Sequence, residues 1–350
     1  MARGCIGEYH SHYGTIAMFP SRDDIWRDNA IPMQEYILNL VNIISKYEPV
    51  FLFCEKKNLN KINNIASDVK VVECDFDDIW ARDIGPTFIR KNKSVECIDW
   101  KFNAWGGKDE GAYFPWDNDN RFASFVAKYF NIPITKSNLI LEGGGIMPDG
   151  NGTIFSTKSV LLNKNRNPNW SQTEIENEIL RLTGDIRIVW LDSGLANDET
   201  NGHIDNMISF VNSTELCLAW TDDIHNPNYE SVHSAYNILS KVTNCYGEKY
   251  KINLIPLPPL QYMSQSESDG LSTNDNAMER LTGDILPASY LNYYLINNAV
   301  LIPTFGCETD NEVRLIFEKI FKNKEIISIY SREPLLGGGG MHCLLHEIYR

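Results

Sequence analysis

Runs of hydrophobic residues alternate with polar turns along this chain, and the pattern recurs five times. In four of the repeats, small or acidic residues lead into a strand, a polar turn of the kind that suits a hairpin, and a second strand. These hairpins are predicted at Asp83–Trp100, Glu142–Thr157, Gly202–Trp220 and Ala288–Gly306. The fifth repeat, Gly337–Arg350, stops after one strand, and its expected partner is Gly14–Pro20 near the other end of the chain. Pairing of the two chain ends would close a ring.

Helical periodicity fills the segments between the hairpins. Apolar residues three or four positions apart predict helices at Pro32–Tyr47, Asn120–Phe130, Ser171–Gly184 and Asp310–Asn323, most of them followed by a short apolar strand. Repeated units of this size predict an α/β protein with one domain over residues 1–350, in which five hairpin-plus-helix units surround a central axis. A polar insertion, Pro259–Asn276, is expected to form a surface or lid loop.

Composition and charge narrow the class of protein. With 43% hydrophobic and 22% charged residues among 350, the chain is typical of a folded globular protein. The net charge of −14, without a basic stripe, disfavours nucleic acid and weakly favours a cationic small substrate. No secretory signal or membrane-spanning run is visible, and the eight cysteines form no C-x-x-C pair. We therefore expect a cytoplasmic protein with reduced thiols and no membrane partner.

Cys343 is the first candidate for chemistry. It follows the glycine run Gly337–Gly340, which lacks the Lys-Ser/Thr of a phosphate-binding loop. The apolar letters MHCLL favour a strand, on which His342 and His346 would point away from the cysteine. Taken alone, a cysteine such as Cys343 is more often buried and inert than catalytic.

A base for that thiol is better supplied by the third repeat. His203 and Asp205 are two positions apart, so on a strand their side chains would share one face. From the residues alone, this pair is compatible with acid–base catalysis, with metal binding, or with a purely structural contact.

Two further acids stand at equivalent points of the repeats. Asp83 follows Arg82 at the start of the first hairpin, and Glu142 precedes three glycines in the second, although each is also compatible with an exposed position. Superposing the repeats carries the acids, the imidazole and the Cys343 thiol to one end of the axis. Facing carboxylates repel each other unless a cation lies between them, and a planar guanidinium suits such a site. A thiolate aimed at the guanidinium carbon is a competent nucleophile.

At these residues the chain resembles the agmatine deiminase family, which groups with the Porphyromonas-type peptidylarginine deiminases among guanidino-group-modifying enzymes. The similarity covers nearly the whole chain. It is carried, in order, by the blocks MFPSRDDIWRDN, WARDIGPTF, LEGGGI, TNGHIDN, PASYLNYYLINNAVLIP and GGGGMHC. The resemblance implies a five-bladed α/β propeller of the pentein type and no metal or organic cofactor.

The resemblance also implies roles for individual residues. Cys343 would be the nucleophile, His203 the general acid and base, and Asp83 and Asp205 the guanidinium ligands. Glu142 would orient and polarise His203 and would also contact the substrate. Substrate contacts are further expected from Glu199, Trp80 and Gly340. The family usually has Asp where Glu199 stands, and it has Ile-Thr-Gln-Gln where LLHE follows Cys343, so the length of the substrate is less well defined.

The implied reaction is hydrolysis of agmatine to N-carbamoylputrescine and ammonia through a covalent thiouronium, in polyamine biosynthesis or arginine catabolism. Such an enzyme is a hydrolase acting on the C–N bonds of linear amidines, and its self-association into a homo-oligomer is left open. An arginine or peptidylarginine deiminase, or an amidinotransferase, would use the same site. A substrate α-carboxylate would then want a basic partner, for which Arg82 and Lys108 are the candidates.

Two other classes of protein remain open at this point. A non-catalytic binding scaffold is one of them. A metal-dependent hydrolase is the other, with ligands His203, Asp205, Glu142 and Asp83.

Overall fold

The computed structural model describes residues 3–272 and 276–350. Its strands are Arg3–Cys5 (β1), Gly14–Met18 (β2), Val50–Cys54 (β3), Val69–Glu73 (β4), Thr87–Lys91 (β5), Ser94–Lys101 (β6), Ile134–Ile140 (β7), Ile146–Pro148 (β8), Thr153–Thr157 (β9), Arg187–Leu191 (β10), Ile208–Asn212 (β11), Glu215–Trp220 (β12), Lys251–Pro256 (β13), Gln261–Tyr262 (β14), Ile285–Leu286 (β15), Tyr294–Leu295 (β16), Ala299–Thr304 (β17), Glu325–Tyr330 (β18) and His346–Ile348 (β19). Its α-helices are Ile31–Ile44 (α1), Ala81–Ile84 (α2), Gly107–Glu110 (α3), Asp119–Phe130 (α4), Lys158–Leu161 (α5), Gln172–Thr183 (α6), Tyr229–Leu239 (α7), Gln265–Asp269 (α8), Thr309–Ile320 (α9), Arg332–Leu336 (α10) and Met341–Leu344 (α11). The fold is therefore α/β.

One strand pattern recurs in five of the sheets. In each, an antiparallel pair of strands, which is a hairpin in four of the five, is followed by helical structure that returns the chain to a third strand, parallel to the second. The sheets have the orders β5-β6-β7 with β1 added at the edge, β8-β9-β10, β11-β12-β13, β16-β17-β18, and β19-β2-β3 with β4 added. The four predicted hairpins are confirmed. The predicted pairing of the chain ends is confirmed as well, since β19 lies antiparallel to β2 with Glu347 opposite Thr15.

The helices also follow the sequence pattern closely. The four predicted segments become α1, α4, α6 and α9. The helix α6 begins with a capping box, in which the Ser171 hydroxyl accepts from the Glu174 amide while the Glu174 carboxylate accepts from the Ser171 amide. The helix α7 was not predicted. It carries Val232, Ala235 and Leu239 on a short buried stripe.

Two local predictions are wrong. The MHCLL segment forms the helical turn α11 rather than a strand, and β19 begins only at His346. The segment after His203 forms a single 3-10 turn, Ile204–Asn206, so His203 and Asp205 do not lie on a strand. In both places a turn just before the first strand of a unit redirects the side chains, which strand periodicity does not anticipate.

The polar insertion at 259–276 is only partly irregular. It contains β14 and α8, and β14 pairs with β15 further along the chain to form a two-stranded ribbon. Residues 273–275 of the predicted loop lie outside the described residues. The rest is held to the body of the protein, where Arg332 donates to the Glu267 carboxylate and Asp28 donates its amide to the Gly270 carbonyl.

The segments that precede the first strand of each unit contact one another in sequence. The helix α2 packs against the turn Gly143–Gly145, and that turn packs against Ile204–Asn206. Asn292 then donates to Asn206, and its own side-chain oxygen accepts from the His342 amide. Finally, α11 packs against α2, so the series of contacts returns to the first unit.

Apolar side chains fill the interior between the sheets and the helices that cover them. No helix in the described part of the chain is both long and apolar enough to cross a membrane.

Candidate active site

A small cavity lies where the turns that precede the strands meet. It contains about 340 Å³ of space free of atoms, part of it open to solvent. It is lined by Trp80, Asp83, Trp105, Asp198, Glu199, Thr200, His203, Asn206, Gly337, Gly338, Gly339 and Cys343. Five of the predicted site residues therefore line one cavity, namely Cys343, His203, Asp83, Glu199 and Trp80, whereas Asp205 and Glu142 are not among its lining residues.

Asp83 is buried in the helical turn α2 and faces this cavity. Its Oδ1 accepts the Gly144 amide at 2.8 Å, and its Oδ2 accepts the Trp105 indole N–H at 3.1 Å. Burial raises the pKa of Asp83 to about 6, with a further contribution from the neighbouring carboxylates of Asp205 and Glu142. A cation close to Asp83 would therefore stabilise its ionised, carboxylate form.

His203 and Asp205 meet Asp83 at Gly144. A Cβ atom on Gly144 would lie 2.7 Å from His203 Nδ1, 2.8 Å from Asp83 Oδ1 and 3.0 Å from Asp205 Oδ2, so only glycine fits here. Within residues 3–272 and 276–350, neither ring nitrogen of His203 makes a hydrogen bond, and Asp205 Oδ1 has no hydrogen-bond partner. Buried groups in this condition are unusual, and they are suited to a polar ligand.

Electrostatics favour the charged form of His203. Burial alone would lower its pKa, but the carboxylates of Asp83 and Glu142 outweigh burial and raise it to about 9. The His203 ring lies between them, with Nδ1 3.8 Å from Asp83 Oδ1 and Nε2 3.6 Å from Glu142 Oε2. The imidazole is thus a proton donor at neutral pH.

Glu142 is anchored from behind by a buried arginine. Arg166 Nε donates to Glu142 Oε1 at 2.6 Å, and both side chains are fully buried. Burial would raise the pKa of Glu142, yet the Arg166 guanidinium and His203 lower it to about 2. Arg166 therefore keeps this carboxylate ionised and aimed at His203.

Cys343 lies in α11, with its sulfur within reach of two polar side chains. Asn292 Nδ2 donates to Sγ at 3.3 Å, and Sγ lies 3.5 Å from Asp205 Oδ2. Through Asp205 and the Gly144 position, the sulfur is less than a nanometre from the His203 imidazole. Burial raises the pKa of the Cys343 thiol well above its usual range, and the charges of Asp205 and Asp83 add to this effect.

The glycine run allows close packing around that cysteine. A Cβ on Gly337 would clash with Trp26 at 2.3 Å, and one on Gly339 would clash with Trp80 at 2.4 Å. Trp80 therefore forms a wall of the cavity against the backbone. Gly340, expected to contact substrate, lies against Asn292 Oδ1 and is not among the lining residues.

Glu199 lines the more exposed side of the cavity, called its mouth below, and is paired with a cation. Arg280 Nη2 donates to Glu199 Oε2 at 2.6 Å and to the Gly337 carbonyl at 3.0 Å. The Glu199 side chain is 25% exposed, whereas that of Arg280 is 4% exposed. The predicted substrate position thus comes with a positive neighbour that sequence reasoning missed.

The two basic residues that the sequence offered as partners for a substrate carboxylate, Arg82 and Lys108, do not line the cavity. Arg82 points away from the cavity and pairs with Glu8 and Glu347. The Lys108 ammonium lies over the Phe114 ring. Neither is placed to hold a substrate carboxylate.

Asn292 was missed although the repeats contain a signal for it. It precedes the first strand of the fourth unit, which is the position that supplies Asp83, Glu142, His203 and Cys343 in the other units. Trp105 and Arg166 come from connecting segments outside this pattern. No repeat-based comparison would have found them.

The metal-hydrolase alternative needs the side chains of His203, Asp205, Glu142 and Asp83 close enough together to share one ion, and they do not form such a group among the described residues. Among the residues that the structure describes, the ligand-type side chains close enough to share an ion are Glu8, His342 and Glu347. The Arg82 guanidinium already bonds both of those glutamates. Because these carboxylate oxygens already accept from Arg82, a metal ion there is disfavoured.

Comparisons with known proteins agree with this geometry. The model of the Porphyromonas-type peptidyl-arginine deiminase family matches residues 5–348. The chain is 37% identical to the agmatine deiminase of Medicago truncatula and 36% identical to that of Pseudomonas aeruginosa, covering 97% of this chain and 94% of each relative. The solved agmatine deiminase of Enterococcus faecalis is 30% identical, with a TM-score of 0.96 over 100% of this chain and 96% of its own.

The fold and the site define a guanidino-modifying type of enzyme. The chain belongs to the Porphyromonas-type peptidyl-arginine deiminase family.

Proposed function

We propose that this protein is an agmatine deiminase, which hydrolyses agmatine to N-carbamoylputrescine and ammonia. The observation that carries the proposal is the convergence of the Cys343 thiol, the His203 imidazole and the Asp83 carboxylate at one cavity, with Asp205 Oδ2 3.5 Å from the sulfur. The agmatine deiminase names of relatives at 36–37% identity across the chain support the choice of substrate.

Asp83 and Asp205 hold the guanidinium in this proposal. Asp205 Oδ1 is buried without a partner among the described residues, and it is free to accept a guanidinium N–H. Asp83 is kept in place by the Gly144 amide and the Trp105 indole. Two fixed acceptors align the guanidinium carbon with the sulfur, an effect of position that can contribute several kcal/mol.

The bound cation also activates the thiol. In the empty cavity, burial and the charges of Asp205 and Asp83 keep the pKa of Cys343 high. A guanidinium between these carboxylates cancels much of their charge, so the thiol ionises with substrate bound rather than before it.

The reaction then follows in two stages. The Cys343 thiolate bonds to the guanidinium carbon, and His203 gives its proton to the leaving nitrogen as the C–N bond breaks and ammonia departs. A water molecule next bonds to the same carbon and passes a proton to His203. Cleavage of the C–S bond then releases N-carbamoylputrescine, and the proton of the added hydroxyl passes to the sulfur, which returns Cys343 to the thiol. Glu142, held ionised by Arg166, keeps the His203 ring oriented and protonated at the start.

We also propose the five-bladed propeller and the single domain of 1–350. The proposal is supported by five sheets that share one strand pattern and by the contacts that run from the first unit through the fifth and back. The cytoplasmic location and self-association remain predictions from the sequence.

Release of ammonia from a panel of guanidino compounds tests the function. Agmatine, free arginine and an arginyl peptide are compared, each with the unmodified protein and with Cys343→Ala. We expect the unmodified protein to turn over agmatine far faster than arginine or the arginyl peptide. Cys343→Ala should lose this turnover but still bind agmatine. Cys245→Ala is the matched control and retains turnover, because Cys245 lies outside the cavity.

Arginine is the second candidate, because Arg280 offers a cation at the cavity mouth. Its pairing with Glu199 at 2.6 Å makes it less available to a substrate carboxylate. Higher kcat/KM for arginine than for agmatine would replace the proposal with this alternative. Equal turnover in Cys343→Ala would refute covalent catalysis altogether.

A further inference from the structure

His342 lies between two carboxylates. Its Nδ1 is 2.9 Å from Asp205 Oδ2, and its Nε2 is 2.9 Å from Glu8 Oε2. An ionised carboxylate only accepts hydrogen bonds, and a neutral imidazole has a single N–H. Bonds at both ends therefore require a proton on each nitrogen, so this geometry holds a positively charged ring.

The cluster around this ring is almost closed to solvent. Arg82 Nη1 donates to Glu8 Oε1 at 3.0 Å and to Glu347 Oε2 at 2.9 Å. Two cations thus face three carboxylates, and the Glu8 side chain is only 13% exposed. Such a buried network holds its members in fixed positions only while its charges remain paired.

The free edge of the network enters the candidate active site. Asp205 Oδ2 accepts from His342 and lies 3.5 Å from the Cys343 sulfur, which leaves Oδ1 without a partner among the described residues. The hydrogen bond fixes the rotation of the carboxylate. The charge of His342 offsets the negative charge that Asp205 places beside the thiol.

We propose that His342 is a positioning residue for deimination, in which its doubly protonated ring, held by Glu8, aims Asp205 Oδ1 at the guanidinium and compensates Asp205 next to Cys343. This inference rests on the proposed function for its reaction. The charge and the orientation themselves are properties of the substrate-free protein, and they can be measured without turnover.

Titration of the ring is consistent with this arrangement. Burial and Arg82 lower the pKa of His342, but Glu8 and Asp205 outweigh them and raise it to about 9. Above that pH the ring loses one donor, so Asp205 becomes less well compensated. The other titratable groups that face the cluster are Glu347, His346, Tyr294, Tyr349, Cys343, His203 and Asp83.

Two variants separate the charge of the ring from its hydrogen bond. In His342→Gln an amide donor to Asp205 remains without the charge. In Glu8→Gln the amide group can donate to Nε2, so a neutral His342 still donates from Nδ1 to Asp205. Glu96→Gln is the matched control, because Glu96 pairs with Lys91 on the surface.

The measurement is alkylation of Cys343 by a neutral reagent, iodoacetamide, and by a cationic one, chloroacetamidine, followed on its peptide by mass spectrometry. Cys245 in the same sample is the internal reference. We expect His342→Gln to slow alkylation by iodoacetamide about tenfold, since an uncompensated Asp205 raises the pKa of the thiol and one unit of thiol pKa changes the thiolate fraction tenfold. The same loss of positive charge should raise the preference for the cationic reagent. In Glu8→Gln the changes in rate and preference that follow loss of the ring's charge should set in at a pH about one unit lower than in the unmodified protein.

An unchanged preference in both variants, with only a lower melting temperature, would make the cluster structural and overturn the proposal. If His342→Gln does not fold, Glu8→Gln alone decides, because its side chain lies at the outer end of the cluster. If the unmodified protein does not turn over agmatine but the alkylation changes occur as expected, the proposed function is contradicted and the role of His342 stands.

Discussion

The closed end of the cavity and its mouth are built from different parts of the chain. Asp83, His203, Asp205 and Cys343 each precede the first strand of a unit, and none is more than 5% exposed. At the mouth, Glu199 is 25% exposed and is paired with an arginine from the segment between α8 and β15. Repeated units thus fix the groups that would act on a guanidinium, whereas segments outside the repeat would contact the part of a substrate beyond it. Substitutions at the closed end should therefore affect catalysis far more than substitutions at the mouth.

The largest expected effect is that of Asp83→Asn. The amide keeps an acceptor for Gly144 but removes the negative charge facing the substrate. Loss of one partner from a buried charge pair costs about 4 kcal/mol, which corresponds to about a thousandfold in kcat/KM for agmatine. Steady-state kinetics check this result. Asp99→Asn, which alters a buried carboxylate bonded to Ser124 outside the cavity, is the control, and an equal loss there would show that any buried aspartate matters as much.

A second effect at the closed end concerns stability. In Arg166→Met, Glu142 loses its buried partner, and we expect the free energy of unfolding at pH 7 to fall by about 3 kcal/mol. The pKa of Glu142 is lowered to about 2 from its ordinary 4.5, so the stability it contributes is present above pH 4.5 and is lost as the pH falls toward 2.

Urea titrations at pH 7 and pH 4 test both parts of this prediction. The difference between the unmodified protein and Arg166→Met should shrink at the lower pH. The double variant Arg166→Met/Glu142→Gln should recover part of the loss at pH 7. A difference independent of pH would indicate lost packing rather than an unpaired carboxylate.

The smallest effect is expected at the mouth. Glu199→Gln removes a partly exposed charge, worth about 1 kcal/mol, so KM for agmatine should rise about fivefold while kcat stays nearly constant. Arg280 then loses its carboxylate partner, and kcat/KM for arginine should rise relative to agmatine. Glu279→Gln, an exposed neighbour, is the control. A large fall in kcat would contradict the separation between mouth and closed end.

The amino-acid sequence predicts most of the architecture, because the patterns that specify its strands, turns and helices are local and recur in every unit. Alternating hairpins, amphipathic helices and the pairing of β19 with β2 follow from periodicity and turn composition. The same repetition brings Asp83, Glu142 and Cys343 together, since each precedes the first strand of its unit. Side chains supplied by irregular connections, such as Trp105 and Arg166, have no periodic signal.

His342 shows a different reason for error. Strand geometry would have pointed it away from its neighbour Cys343. The segment instead turns once as a helix, and His342 and Cys343 approach the same oxygen of Asp205 from different sides. Backbone conformation at a single turn decided the outcome, and the apolar pattern does not encode it.

Mass spectrometry of the acid-quenched reaction tests the central claim most directly. During steady-state turnover of agmatine, the peptide containing Cys343 should carry an added mass equal to agmatine minus one ammonia, and this adduct should disappear when substrate is exhausted. Full turnover without any adduct on that peptide, together with an active Cys343→Ala variant, would contradict it.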